Sequence, residues 1–524
     1  MFGRLSLALI ATLVLVLPQA APFDILITNG RVFDGAGNPW IRADVGIRGD
    51  RVAAVGALAG AAAATTIDAA GRVVAPGFID VHSHALDNIT SRPATDTAAF
   101  GGSLREARAL LAQGVTTVVG NPDGGGPLDL AQQAAQLGAD GGIGVNAALL
   151  IGHATVRRAV IGAANRQPTP EELEKMRGLV RTAREAGAFG LSSGLFYTPG
   201  RFAKTEEVIV LAREAGGVYT SHIRDEGDYD VGVVASVDEV IRIADEAHVR
   251  GVVTHIKALG PGSWGKSADM IAHIDAARAR GVDVFADQYP YDASSTSLAA
   301  AVMPGESSEG LKEAMANDAA KEKFLGLVKD NIRRRGGPAS IVMASGRGAG
   351  GLAGKSLDAI AKERGVPVEQ AAADIVLAGG ASIVSFNMSE ADVEAIMRMP
   401  WTMGSSDGAL SVPGPAMPHP RNNGSFARRI ERYVVGRKTL TLVEAIRTMT
   451  SLPALVFGLS DRGMIRPGAF ADIVIFDPAN VKERATYTSP HALSEGFDTV
   501  LINGRITRHE GVFTAVRAGV VLKR

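Results

Sequence analysis

The chain has 524 residues, 46% hydrophobic and 21% charged. This is the composition of a packed globular protein, long enough for a large α/β barrel with attachments or for several domains, and it excludes a mostly disordered chain. The 54 Lys and Arg balance 55 Asp and Glu, which leaves no basic footprint for nucleic acid or an anionic membrane, and the absence of cysteine excludes disulfides, thiolate metal sites and a Cys nucleophile.

Arg4, the apolar run Leu5 to Leu17 and the small residues Ala20 and Ala21 read as a secretory signal over residues 1–21. The run is too short to span a bilayer. The expectation is an exported, periplasmic protein with no membrane contact once the signal is cleaved. Residues 23–75 then carry short β-like runs, with Asn29-Gly30 between two of them as a hairpin signal. Residues 461–524 repeat the style, with Asn503-Gly504 between Val500-Leu-Ile502 and Arg505-Ile506. The two ends are expected to combine into one small β-sandwich.

Residues 76–460 alternate apolar strands with helical text. The candidate strands are Gly77–Val81, Gly114–Val119, Val145–Leu150, Ala188–Leu191, Gly217–Ser221, Gly251–Thr254, Val282–Phe285 and Thr402–Ser405. Eight such units predict a TIM-like (β/α)8 barrel in the α/β class. Thr169-Pro-Glu-Glu172 and Ser236-Val-Asp-Glu239 both fit a capping box at a helix start. The stretch from about 297 to 400, between the seventh and eighth strands, is too long for one βα unit and predicts an inserted subdomain over the barrel mouth.

Active-site residues of such barrels sit at the C-terminal ends of the strands. Those ends carry His82 and His84, then Asp123, His153, His222, His255 with Lys257, Tyr289 with Tyr291, and Asp407. Five of the ten histidines fall there. Two rings at i and i+2 of an extended segment project to one side and can grip one metal, and neutral imidazole suits Zn2+ ahead of Fe, Mn or Ni. Asp123 is either a ligand or part of an ordinary Asp-Gly turn, and Gly124-Gly-Gly126 reads as a flexible active-site loop. Arg224 and Glu226 read either as a pair orienting His222 or as substrate contacts, and Tyr289 and Tyr291 either as binding groups or as rim packing.

Gly77-Phe-Ile-Asp-Val-His-Ser-His84, with His222, His255 and Asp407, resembles the metal-dependent amidohydrolase superfamily. Gly190-Leu-Ser-Ser-Gly-Leu-Phe-Tyr197, His222-Ile-Arg224, Asp287-Gln-Tyr-Pro-Tyr-Asp-Ala-Ser-Ser-Thr296 and Ser405-Ser-Asp-Gly408 with Pro418-His-Pro-Arg421 are similar to the N-acyl-D-amino-acid deacylase branch. The resemblance implies zinc-dependent hydrolysis of an N-acyl amide, the partner being a small N-acylated amino acid, D favoured; the alternatives are a dihydroorotase-like, dipeptide or xenobiotic amide hydrolase of the same superfamily, or a non-catalytic metal- or ligand-binding homologue. It implies His82, His84, His222 and His255 as ligands to one or two zinc ions. Asp407 would be both ligand and general base, then acid, with His153 helping to polarise the carbonyl. Lys257, Tyr289, Ser295 and Arg421 would hold a substrate carboxylate; apart from the resemblance, Arg157 is a candidate substrate contact, as Arg224 is on one of its two readings. In one respect the chain departs from that branch, which has a Cys ligand after strand two where this sequence reads Gly120-Asn121-Pro122. Either the site holds one metal, or Asp123 replaces the thiolate.

Overall fold

A computed structural model describes residues 22–90, 98–348 and 350–524; the expected export segment lies outside these residues. Eight strands follow the predicted series: β1 (Phe78–Asp80), β2 (Val115–Gly120), β3 (Asn146–Leu149), β4 (Gly190–Gly194), β5 (Val218–His222), β6 (Arg250–Val253), β7 (Val284–Gln288) and β8 (Thr402–Gly404). Their text is nearly continuous apolar or small residues, as a parallel sheet covered on both faces requires. Every residue of β2, β5 and β7 is buried. β1, β2 and β3 pair in one parallel sheet; β4 to β8 pair in chain order in a second, which starts from Ile151–Gly152, just after β3.

Hydrogen bonds also link the two sheets. Phe189 N donates to Leu149 O (2.9 Å), Asp407 N to His82 O (2.9 Å) and His84 N to Gly408 O (2.8 Å), and Ser83 pairs with Gly408 in a parallel bridge. The ends of the first and last strands therefore meet. The connecting helices are amphipathic: Val233–Ala247 buries Val233, Val237, Val240, Ile241 and Ala244 at helical spacing. Thr169 forms the expected capping box with Glu172. Ser236 does not cap; it lies inside the helix that starts after Gly232, and its hydroxyl accepts from Asp225 N (3.0 Å) while donating to Gly232 O (3.0 Å).

Strands from both ends of the chain combine, as expected, but they hydrogen-bond into one nine-stranded sheet. Its joint is the antiparallel pairing of Val73–Pro76 with Ile473–Phe476, over a core that includes Ile27, Val45, Ile47, Val74 and Leu501. The two Asn-Gly pairs differ. Asn503-Gly504, with φ of 50° and 72°, turns the hairpin between Phe497–Ile502 and Arg505–His509. Asn29-Gly30 makes no hairpin: strand Phe23–Val32 runs straight through it, with a register shift between Ile27 and Gly30. Here Asn29, φ 57°, forms a bulge, and Gly30 admits a close crossing, because a Cβ there would sit 2.6 Å from Val74 Cγ2.

Between β7 and β8, strands Ser294–Ser297, Ile341–Ser345 and Ser382–Ser385 form a separate antiparallel sheet. With helices Ser308–Met315 and Asp318–Arg334 it encloses its own core, including Leu298, Leu311, Phe324, Val328 and Ile375.

Candidate metal centre

The strand ends bring Asp123 to the middle of the site. Its two oxygens face four imidazoles: His82 Nε2 and His84 Nε2 at 3.4 Å each, His255 Nε2 at 3.7 Å and His222 Nδ1 at 4.0 Å. Asp407 Oδ1 lies 3.5 Å from both His82 Nε2 and His84 Nε2. One set of ligand atoms, from His82, His84, Asp123 and Asp407, lies mutually within 4.8 Å, and so does a second from Asp123, His222 and His255. Asp123 belongs to both.

These residues fit a divalent metal. Both ring nitrogens of His82, Asp123 Oδ1 and His222 Nε2 are buried without a hydrogen-bond partner, whereas buried polar atoms are ordinarily paired. Imidazole nitrogens and carboxylate oxygens are the donors a zinc-type ion takes when thiolates are absent. The electrostatics agree. Burial works against a charged His84, yet Asp123, Asp407 and Asp87 outweigh it and raise its pKa well above the usual imidazole value. Burial would likewise raise Asp123, but His82, His255 and His84 hold its carboxyl well below the usual range. The cluster calls for positive charge.

Three of the converging residues are held in left-handed backbone: Asp123 (φ 55°), His255 (φ 36°) and Asp407 (φ 48°). Such strain persists only where the surroundings over-determine it. Ser192 on β4 donates to Asn121 O (2.6 Å) and accepts from Gly124 N (3.1 Å), bracketing Asp123. Thr155 N donates to Gly124 O (3.1 Å), and a Cβ on Gly152 would sit 2.1 Å from Gly125 O. The triglycine segment is thus a packed, pinned turn rather than the expected flexible loop. Asp287 accepts from His255 N (2.9 Å) and Ser405 Oγ (2.7 Å), while Asp80 accepts from Ser406 N (2.8 Å). Burial pushes the Asp80 carboxyl up to about 6 against the pull of Ser406.

A cavity of about 330 Å³ opens on the cluster and is lined also by Lys257, Tyr289, Ser295 and Arg421. Lys257 is buried, its Nζ bonded to Glu226 and 2.7 Å from His255 Nδ1. Arg421 Nη1 donates to Asp407 Oδ2 (2.7 Å). Arg421 N donates to His419 Nδ1 (3.0 Å), and His419 Nε2 donates to Ala293 O (3.0 Å), so His419 orients the arginine. Burial of Asp407 is outweighed by Arg421, His255 and His82, which hold its carboxyl far below the usual range.

Three expected site residues lie elsewhere. His153 Nε2 meets Glu207 Oε1 (2.9 Å), and Arg157 bonds to Glu207 and to Arg166 O. Helix Thr205–Ala215 brings Glu207 to them, so the carboxylate engages both. Arg224 is bidentate to Glu239 (2.9 and 2.7 Å) and also bonds the carbonyls of Arg201 and Ala203. None of the three lines the cavity. The sequence reading assigned no role to cavity residues Phe196, Tyr197, Tyr229 and Arg335. Tyr197 sits in the Gly190–Tyr197 motif and could have been found there, whereas Arg335 ends a charged helix and carries no sequence signal.

Comparison with known proteins agrees with this geometry. The model of the amidohydrolase family matches residues 65–508. A D-aminoacylase of Alcaligenes xylosoxydans xylosoxydans is 36% identical over 533 residues, 97% of this chain and 99% of that protein. An N-acyl-D-glutamate deacylase of the same organism is 40% identical over 495 residues, 92% and 93% of the two. Among solved structures, N-acyl-D-glutamate deacylase from Bordetella bronchiseptica, complexed with zinc and a phosphonate mimic of the tetrahedral intermediate, is similar at TM-score 0.81 and 35% identity, over 96% of this chain and 100% of that one. With a family match over most of its length and relatives matched nearly end to end, the chain belongs to the amidohydrolase family, in its D-aminoacylase branch, and is a hydrolase of amide bonds.

Proposed function

We propose that the protein hydrolyses the N-acyl bond of N-acyl-D-amino acids, using zinc held by His82, His84, Asp123, Asp407, His222 and His255. The observation that carries this reading is Asp123 facing four imidazoles, with orphaned nitrogen and oxygen atoms around it. Asp123 belongs to both sets of ligand atoms, one with His82, His84 and Asp407 and one with His222 and His255, and would stand among the ligands in place of the missing thiolate. When bound, the metal lowers the pKa of water and so supplies a nucleophile near neutral pH.

The chain's own residues do the rest. Asp407 takes a proton from the attacking water and delivers it to the amide nitrogen as the C–N bond breaks, releasing a carboxylate and an amine. Arg421 fixes one oxygen of Asp407, leaving the other directed at His82 and His84. Arg421 and Lys257, with Tyr289 and Ser295, bind the substrate α-carboxylate and orient the scissile bond; the Arg fork suits a carboxylate.

Two structural readings belong to the same proposal. The meeting of the β1 and β8 ends supports one closed (β/α)8 barrel, and the shared core of the nine-stranded sheet supports a sheet folded over itself as a sandwich. Export is proposed from Arg4 and the apolar run after it; N-terminal sequencing of periplasmic protein, expected to start after Ala20 or Ala21, tests it.

The functional test is amine release from paired N-acetyl-D- and N-acetyl-L-amino acids by zinc-loaded protein. Release from the D series, lost with a chelator and restored by zinc, is the expected result. Silence on both series with metal bound would remove the assignment.

A further inference from the structure

The cavity holds three side-chain cations besides its imidazoles, and two of them have carboxylate partners. Lys257 is bonded to Glu226, and Arg421 to Asp407. Arg335 differs. It is 2% exposed and reaches the same cavity from the end of helix Asp318–Arg334 in the insertion. Its hydrogen bonds go to neutral groups: Nη1 to Tyr229 (3.1 Å), Nη2 to Ser294 (3.1 Å) and to the side-chain oxygen of Asn387 (3.1 Å), and Nε to Ser385 (3.4 Å). Among the described residues no carboxylate lies within ion-pair distance of it. A buried guanidinium that no anion neutralises is costly to keep. Of its five N–H groups four are engaged, which fixes the plane of the guanidinium and leaves one on Nη1 free.

We propose that Arg335 receives a second carboxylate of the substrate, so that the cavity selects N-acyl amino acids bearing two acid groups. The inference rests on the proposed deacylase reading, in which Arg421 and Lys257 take the α-carboxylate. Arg335 then serves a different anion, and it acts on selectivity rather than on the bond-breaking step. That second carboxylate is carried either by the amino-acid side chain, as in glutamate or aspartate, or by the acyl group, as in a succinyl amide. In both cases the chemistry is one carboxylate beside one guanidinium that no carboxylate of the described residues neutralises. The uncharged amide of the same shape leaves the arginine unneutralised, and a site built around a buried polar group discriminates strongly against such an analogue.

The test compares kcat/KM for N-acetyl-D-glutamate with N-acetyl-D-glutamine, and for N-succinyl-D-alanine with N-butyryl-D-alanine. It is run on the zinc-loaded wild type, Arg335→Gln and Arg335→Lys. The wild type is expected to prefer one diacid over its neutral counterpart by about 100-fold; the pair that shows this names the source of the carboxylate. Arg335→Gln should bring that ratio close to one. Arg335→Lys, which keeps the charge without the fork, should retain part of it.

Because a ratio within each variant is read, partial loss of folded enzyme does not disturb the result. Calorimetric binding of D-glutamate against D-glutamine, and of succinate against butyrate, gives the same comparison without turnover. Wild-type ratios near one in both assays, or a ratio unchanged in Arg335→Gln, would overturn the proposal. Discrimination in binding with no amide hydrolysis would sustain the subsite and reject the deacylase reading instead.

Discussion

Around Asp123, four imidazoles face a carboxylate that has no Lys or Arg within ion-pair distance among the described residues; around Glu207, one imidazole shares its carboxylate with Arg157. Both clusters form where strand ends meet neighbouring elements, the second is buried and the first is buried except for half-buried His84 and Asp123, and both leave ring nitrogens without a hydrogen-bond partner. Burial and orphaned atoms therefore do not separate a reactive cluster from a structural one. The separation is in fixed charge. Glu207 meets a cation supplied by the chain, and the group is complete. Asp123 meets no such cation, and with Asp407 and Asp87 it raises the pKa of His84, which is where a divalent ion would substitute for protons.

The largest effect should come from removing the first cluster's donors. His82→Ala with His84→Ala is expected to abolish metal content and reduce amide hydrolysis by about 10⁴-fold or more; elemental analysis of the purified variant checks it, and stoichiometric metal there would erase the contrast. Asp407→Asn should retain metal while turnover falls by about 10³-fold, because the proton acceptor is lost. Metal content and kcat measured on the same sample separate these two roles.

The second cluster should answer in stability. Glu207→Gln leaves Arg157 buried without its anion and is expected to cost about 3–5 kcal/mol in unfolding free energy, with metal content unchanged. Burial would raise the Glu207 pKa, but His153 and Arg157 outweigh it and lower it from the ordinary 4.5. A carboxylate whose pKa is lowered in the folded state stabilises fully above its unfolded value and loses that contribution as pH falls below it. Wild-type protein should therefore lose stability below about pH 4.3 more steeply than Glu207→Gln, as unfolding followed across pH would show. Smallest of all, Ser192→Ala frees the turn that brackets Asp123 and should weaken zinc affinity by about tenfold in a competition titration. An unchanged affinity would mean that the rest of the turn holds Asp123 without help.

The eight parallel strands were legible because each is a short apolar run closed by small residues, and their ends delivered His82, His84, Asp123, His222, His255 and Asp407 to one place. His153, Arg157 and Arg224 were misread for one physical reason: a sequence displays a charge but not the carboxylate that will fold against it, here Glu207 and Glu239. The Asn29-Gly30 misreading has the same root. Asn-Gly favours left-handed backbone in a bulge as well as in a hairpin, and the neighbouring Val74, far along the chain, decides which. Arg335 was invisible because its meaning comes from an insertion that folds around a core of its own.

The seam between the first and last strands also bears on when the enzyme comes to life. Asp80 accepts a hydrogen bond from Ser406, 326 residues later, and that contact sets His82 beside Asp407. A nascent chain carries the first histidines long before the closing aspartate has been synthesised. Ion capture by the full set therefore waits for this long-range closure of the fold, and entropy makes that closure slow. A product truncated before Asp407, or half folded, would hold a few scattered ligands and no working centre, so the fold itself delays activity until Asp407 has been made and docked.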